Sequence, residues 1–313
     1  VRTGAGKSTV SRKIVKILSS KGLRTVVVRH PMPYGDLRKQ IVQRFSSLKD
    51  LDKYECTIEE REEYEKYIEM GLTVYAGVDY EKILRRAEKE ADIILWDGGN
   101  NDLPFFKPDL HIVVVDPMRP GHEMCSYPGE ANLRMADVIV VNKVGSARKE
   151  NVERVVENCR KANPRAKIIL ADSRIHVDKP ELIKNKRVIV VEDGPSVTHG
   201  GLSYGAGYIA AKIYGASKII DPRPYAVGDL KRAYEEYEHM GLVVPSLGYG
   251  EKQIRDLEET LNNAEADVII LGTPSDISRY LKLNKPVVKV FYELVEISGP
   301  SLGEIVEEFL TRI

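Results

Sequence analysis

A glycine-rich loop that runs straight into a helical stretch constrains this chain more than any other feature. Gly4, Ala5, Gly6, Lys7, Ser8 and Thr9 lead into residues 10–18, where Val10, Ile14, Ile17 and Leu18 recur at helical spacing and Gly22 supplies a stop. Backbone N–H groups in such a loop, together with the positive end of the helix, cradle polyphosphate. The lysine reaches the β- and γ-phosphates and the serine hydroxyl binds magnesium. The plain alternative is a Gly-rich turn with a helix-capping serine. In the pattern G-x-x-x-x-G-K-[ST] the first glycine falls on Val1. A loop of this kind is expected to follow a buried strand, and no residue stands before Val1 to form one. The expectation is a longer protein whose first strand is missing from this chain.

The length of 313 residues suffices for one large core or two medium ones. Lys plus Arg and Asp plus Glu balance at 47 each, so no net charge draws the chain to nucleic acid or an anionic membrane. Cys56, Cys125 and Cys159 are scattered, which argues against a zinc site or a disulfide framework and suits a reduced, cytoplasmic protein. No apolar run approaches the roughly 20 residues that span a bilayer. High charge with only three glutamines leans toward a thermophilic source.

Short β-branched runs alternate with helical patterns, which predicts an α/β fold with a mostly parallel sheet flanked by helices. Strands are expected at 24–28, 93–96, 111–115, 138–141 and 167–170, with helices at 80–90 and 151–162. Residues 31–77 read as a long insertion rich in Glu, Lys and Tyr, with a helix at 59–70 capped by Gly71. A second, Rossmann-like α/β series follows. Its strands are expected at 187–191, 218–220, 242–244, 267–271 and 287–290, and its helices at 205–214, 229–239, 251–263 and 302–310. A soft boundary near residue 184 separates a nucleotide-binding part, 1–184, from an acceptor part, 185–313.

The strand at 93–96 ends in Asp97, followed by Gly98 and Gly99. In that position an aspartate holds magnesium directly or through water, while the glycines admit the γ-phosphate; an ordinary D-G turn looks the same. Ser8 and Asp97 are therefore the expected metal ligands. The strand at 138–141 ends in Asn142 and Lys143, the first two residues of the guanine-reading run N-K-x-D, but Gly145 stands where the selecting carboxylate belongs. Base binding at Asn142 and Lys143 is expected, without strict guanine selectivity.

Further loops leave strands at their carboxyl ends, where open α/β sheets bind ligands. Arg29 and Arg119 are expected to clamp phosphate, and His30, Asp36, His122 and Glu123 to handle protons or metal on the acceptor side. In the second series His199, Gly200, Gly201 and Arg223 are candidates for an anionic acceptor, although Gly-Pro turns connect parallel strands in any case.

Taken together, R-T-G-A-G-K-S, R-H-P-M-P-Y-G-D, W-D-G-G-N-N-D, D-P-M-R-P-G-H-E, N-K-V and E-D-G-P-S-V-T-H-G-G resemble one family. It is the archaeal and bacterial group of predicted GTPases related to cyclic 2,3-diphosphoglycerate synthetase. The resemblance implies a P-loop fold, a nucleoside triphosphate with magnesium, and a further α/β domain ahead of the phosphate loop. It also implies a synthetase in which ATP drives closure of an intramolecular phosphoanhydride. Gly145 departs from the N-K-x-D of many relatives.

The reading is thus a magnesium-dependent P-loop nucleoside triphosphatase or phosphotransferase that takes ATP or GTP and activates a small anionic metabolite, such as a phosphoglycerate. Lys7, Asp97, Arg29 and Arg119 would carry the chemistry, with no nucleic acid or membrane partner and with room for a homo-oligomer. The alternative is a nucleotide-switched binding protein whose 31–77 insertion, a solvated surface, meets a protein partner.

Overall fold

The computed structural model describes residues 4–32, 36–99, 102–248, 250–273 and 276–313. Val1, the position of the missing first glycine, lies outside them, as do Asn100 and Asn101 of the loop after Asp97. The chain divides into two compact units, Val1–Ser173 with Leu294–Ile313, and Arg174–Glu293.

The first unit begins with α1 (Lys7–Ser20), β1 (Thr25–Arg29), β2 (Gln43–Phe45), α2 (Leu48–Lys53), α3 (Ile58–Glu69), β3 (Thr73–Ala76), α4 (Tyr80–Glu90) and β4 (Ile93–Trp96). Their strands form a sheet in the order β2-β3-β1-β4, with β1 parallel to both neighbours and β2 antiparallel to β3. Next come β5 (Ile112–Val115), α5 (His122–Cys125), α6 (Gly129–Met135), β6 (Val138–Val141), α7 (Lys149–Ala162) and β7 (Lys167–Val177), with β5, β6 and the start of β7 parallel. The continuous valine and isoleucine runs of β5 and β6 fit strands covered on both faces. One face packs against Val10, Ile14 and Leu18 of α1, the other against Leu133, Val155 and Cys159 from α6 and α7.

The second unit holds β8 (Arg187–Asp193), α8 (Gly194–Val197), α9 (Ala206–Ile213), β9 (Lys218–Ile219), α10 (Gly228–Glu236), β10 (Val244–Ser246), α11 (Glu251–Asn263), β11 (Val268–Gly272) and most of β12 (Val287–Ser298). Its strands run in the order β10-β8-β11-β12, all parallel, with β9 also paired to β8. The last helix, α12 (Leu302–Leu310), buries Leu302, Ile305 and Val306 in the core of the first unit.

The fold is the expected mostly parallel α/β arrangement, but the 31–77 insertion is no solvated surface. It adds β2 and β3 to the sheet and buries Phe45, Leu51, Tyr64, Tyr67 and Val74 in a core shared with Val15 of α1 and Val27 of β1. Its tyrosines explain this, because aromatic rings hide large area while the many Glu and Lys stay outside. Among the described residues no helix is long and apolar enough to cross a membrane.

Candidate nucleotide site

The phosphate loop takes its shape from two glycines and one buried amide. Gly4 and Gly6 have φ of 71° and 100°, a left-handed conformation that glycine adopts without a steric penalty. Gly6 closes the turn by accepting hydrogen bonds from Thr9 N and Val10 N at 3.1 and 3.2 Å, which starts α1. Asn142 lies wholly buried beneath the loop. Its Nδ2 donates to Ala5 O at 2.9 Å and its Oδ1 accepts from Ser173 Oγ at 3.2 Å. A Cβ on Gly6 would overlap the Asn142 amide nitrogen. The side chain of Asn142, expected near the base, thus bonds to the loop and to Ser173.

Lys7 opens α1, half-buried, and Ser8 beside it is exposed. Burial lowers the Lys7 ammonium to about 8, with Asp97 and Asp102 opposing and Arg29 and Arg119 reinforcing the shift. These four groups therefore share the electrostatic surroundings of the loop lysine.

Asp97, at the end of β4 and 2 % exposed, is the hub. Its Oδ2 accepts from Arg29 Nη1 at 2.5 Å and Tyr67 OH at 2.6 Å, and its Oδ1 from Ser11 Oγ at 2.9 Å. Burial favours the neutral acid, yet the Arg29 charge and the bonds from Tyr67 and Ser11 outweigh it and hold the carboxyl below its ordinary range. Arg29 is buried and also pairs with Glu63, so the expected phosphate clamp is committed to two carboxylates. Tyr67, Glu63 and Ser11 had no place in the sequence reading. Their signal was spacing alone: Glu63 and Tyr67 share a face of α3, and Ser11 lies one turn beyond Lys7.

Ser8 and Asp97 were the expected magnesium ligands. Among the described residues no group of three or more His, Cys, Asp or Glu side chains is gathered for a cation. Magnesium on a nucleotide needs only one or two protein oxygens, because phosphates and water fill the rest. An exposed Ser8 hydroxyl and an ionised Asp97, whose Oδ1 takes a single bond among the described residues, fit that need.

A second buried cluster lies after β5. Asp116 accepts from Arg119 Nη2 at 2.7 Å, from Met118 N at 3.0 Å and from Lys143 Nζ at 3.3 Å. Burial would raise its pKa, but Lys143 and Arg119 bring it below the ordinary value. Lys143 sits at φ 61°, a left-handed turn that follows Asn142. Glu123 is buried, with Gly121 N and Asn158 Nδ2 donating to it, and His122 opens the short α5 beside it. His30 Nδ1 lies 2.6 Å from Asp102 Oδ2. Asp36 is exposed and forks onto Arg38, while residues 33–35 of its loop fall outside the described residues. Asp172 on β7 accepts from Gly145 N at 3.3 Å, and a Cβ on Gly145 would overlap that carboxylate. A carboxylate thus occupies the space that a side chain at 145 would fill.

In the second unit His199 is exposed, with Nδ1 3.4 Å from Thr198 Oγ1. Gly200 N and Gly201 N donate to Pro195 O and Thr198 O, so both donors are used within the turn. Arg223 is exposed and pairs with Asp221. The buried carboxyl there belongs to the protein itself. Glu192, at the end of β8, accepts from Tyr208 N at 2.8 Å and Gly205 N at 3.1 Å around the start of α9. Burial pushes its carboxyl up to about 7.

Residues 70–171 match the family model described as the P-loop domain of cyclic 2,3-diphosphoglycerate synthetase. The chain is 63% identical over 309 residues to the arginine synthetase ArcE of Thermococcus kodakarensis, covering 99% of this chain and 69% of that protein. It is 30% identical over 161 residues to the cyclic 2,3-diphosphoglycerate synthetase of Thermococcus sibiricus, covering 48% of this chain and 35% of that protein. Among solved structures, LpxK from Aquifex aeolicus in complex with ATP aligns with a TM-score of 0.54 at 12% identity, over 100% of this chain and 85% of that one. At that identity the likeness is one of fold.

Proposed function

The chain belongs to the P-loop family of cyclic 2,3-diphosphoglycerate synthetase and ArcE, and on that premise we propose that it is a magnesium-dependent, nucleotide-driven synthetase for a small metabolite. The observation that carries this is the loop lysine. Lys7 stands on a phosphate loop braced by Asn142 and shares its surroundings with the ionised Asp97. Phosphoryl transfer needs chiefly positioning and charge stabilisation, which this arrangement supplies.

In this reading Gly4, Ala5 and Gly6 wrap the phosphates with their backbone, Lys7 neutralises the β/γ-oxygens, and Thr9 anchors the first turn. Ser8 and Asp97 would hold the magnesium, which would supply positive charge beside the transferring phosphoryl group. Arg29 and Tyr67 orient Asp97, and Arg119 with Lys143 fixes Asp116 at the end of β5. The identity to ArcE over nearly the whole chain favours an amino-acid metabolite over a phosphoglycerate. Nucleotide cleavage would then activate an oxygen of that metabolite for displacement.

The test is turnover of ATP and of GTP by the wild-type chain and by Lys7→Ala, each with and without candidate metabolites. Cleavage that depends on both Lys7 and one small metabolite is expected. Cleavage unchanged in Lys7→Ala would contradict the assignment.

A further inference from the structure

Of the acceptor-side candidates read from the sequence, His30 stands against a carboxylate beside the nucleotide site. It follows Arg29 at the carboxyl end of β1, where open α/β sheets bind ligands. Arg29 pairs with Asp97 at the end of the adjacent β4, so His30 lies one residue beyond that ion pair. Its Nδ1 is buried, 2.6 Å from Asp102 Oδ2, and has no other partner among the described residues. The approach is close but poorly aligned for a full hydrogen bond, a common state of catalytic contacts before substrate arrives. The other edge of the ring is open. The side chain is 24 % exposed, and Nε2 makes no hydrogen bond among the described residues.

Asp102 is fixed from two sides. Gly99 N donates to the same Oδ2 at 2.8 Å, and Asn132 Nδ2 donates to the Asp102 carbonyl at 2.7 Å. Burial would raise its pKa, but His30 and Gly99 N bring the carboxyl below its ordinary range, so it meets the imidazole ionised. Asp102 also acts, with Asp97, on the charge of the Lys7 ammonium. The loop that carries Asp102 has further anchors. Phe105 stacks on Tyr80 with ring centroids 4.1 Å apart, and Phe106 packs against the cluster of Val26, Val28 and Ile83. Holding the loop therefore does not require the carboxylate, which is left to the imidazole.

We propose that His30 is the general base of this site and Asp102 its positioning residue. The inference rests on the synthetase reading and adds how the oxygen nucleophile of that reaction loses its proton. With Nδ1 turned to Asp102, Nε2 presents the free lone pair. As the nucleophile's oxygen bonds to the γ-phosphorus, the bond from that phosphorus to the β,γ-bridging oxygen breaks, and its electron pair leaves with the nucleoside diphosphate. The nucleophile's proton moves to Nε2, and the Asp102 carboxylate balances the imidazolium that forms. Asp97 is unsuited to that role, because its Oδ2 is already shared by Arg29 and Tyr67.

Single-turnover cleavage of ATP by the full chain with magnesium, water serving as the nucleophile, tests this. His30→Gln cannot take up the proton and should slow cleavage by about a hundredfold or more, with half-saturation by ATP unchanged. His30→Gly should fall as far, and added imidazole should restore it by roughly tenfold or more while leaving His30→Gln and Lys7→Ala where they are. Asp102→Asn keeps an acceptor for Gly99 N but loses the charge. It should slow cleavage by roughly tenfold with ATP half-saturation again unchanged, and imidazole should not help it. Wild-type rates in the His30 or Asp102 variants, weakened ATP binding as their sole defect, or a slow His30→Gly that ignores imidazole overturns the proposal. Should His30→Gly not fold, the rate of His30→Gln decides alone. Cleavage that is lost in Lys7→Ala but intact in the His30 variants faults the base and spares the synthetase reading. A wild type that cleaves nothing, or no faster than Lys7→Ala, faults both.

Discussion

The side-chain amide of Asn142 donates a 2.9 Å hydrogen bond to the Ala5 carbonyl and so ties the end of β6 to the underside of the phosphate loop. Asn142→Ala strands that carbonyl in a buried place, at a cost of about 1–3 kcal/mol. Nucleotide affinity should fall by roughly tenfold or more, with the fold intact by circular dichroism. Gly6→Ala should do the same by a different route, because its methyl group displaces the amide and strains φ. Fluorescent nucleotide titration checks both. Unchanged affinity in both variants would mean that the brace is irrelevant to binding.

The Asp97 cluster separates two roles for Arg29. If the guanidinium chiefly balances Asp97 and Glu63, Arg29→Ala leaves a buried carboxylate uncompensated and destabilises the chain by about 3–5 kcal/mol. Tyr67→Phe removes one hydrogen bond and should cost about 1 kcal/mol. Asp97 titrates below its unfolded value of 3.8, so its contribution is present above that pH and lost as pH falls through the folded value. Tyr67→Phe should raise the pH of that loss in denaturant titrations. A stable Arg29→Ala with abolished turnover would restore the phosphate-clamp role expected from sequence.

Glu192 gives the opposite pH dependence. Its folded carboxyl is near 7 against 4.5 unfolded, so between those values the native state keeps a proton that the unfolded chain has released. Stability from this group is full below about 4.5 and is lost as pH rises to about 7. Glu192→Gln keeps an acceptor for Gly205 N and Tyr208 N but cannot ionise. It should exceed wild type by up to about 3 kcal/mol at pH 8 and match it near pH 4. Parallel stability curves for the two proteins would refute the shift.

Nucleotide choice turns on Gly145 and its neighbour. With no carboxylate at 145, unlabelled ATP should displace labelled GTP, with a GTP preference below about a thousand-fold. Asp172 occupies the adjacent space and is the one described carboxylate placed against Gly145. A larger GTP preference that disappears in Asp172→Ala would assign the guanine contact to Asp172.

The phosphate loop and the strands behind Asp97 and Asn142 are legible in the sequence because each rests on a local pattern. Gly-x-Gly-Lys-Ser needs its glycines, and the apolar runs Ile93–Trp96 and Val138–Val141, the second wholly β-branched, need a covered sheet. β2 and β3 were missed because three or four residues carry little periodic signal, and β3 exists through its pairing with β1 and β2. Long-range pairing also decided the fate of side chains. Asn142 and Arg29 were recognised as important, but that one faces Ala5 and the other Glu63 follows from contacts that no spacing rule encodes. Tyr67 is a buried core aromatic whose hydroxyl also donates to Asp97, a contact that joins positions thirty residues apart and leaves no local trace in the sequence.

The most direct measurement is the rate of nucleotide cleavage by the wild-type chain across a panel of amino acids and phosphoglycerates, with Lys7→Ala alongside. The account expects cleavage to rise at least tenfold with one member of the panel and to vanish in Lys7→Ala at every condition. Cleavage that proceeds at the same rate whatever metabolite is present, or that survives without the Lys7 ammonium, would contradict it.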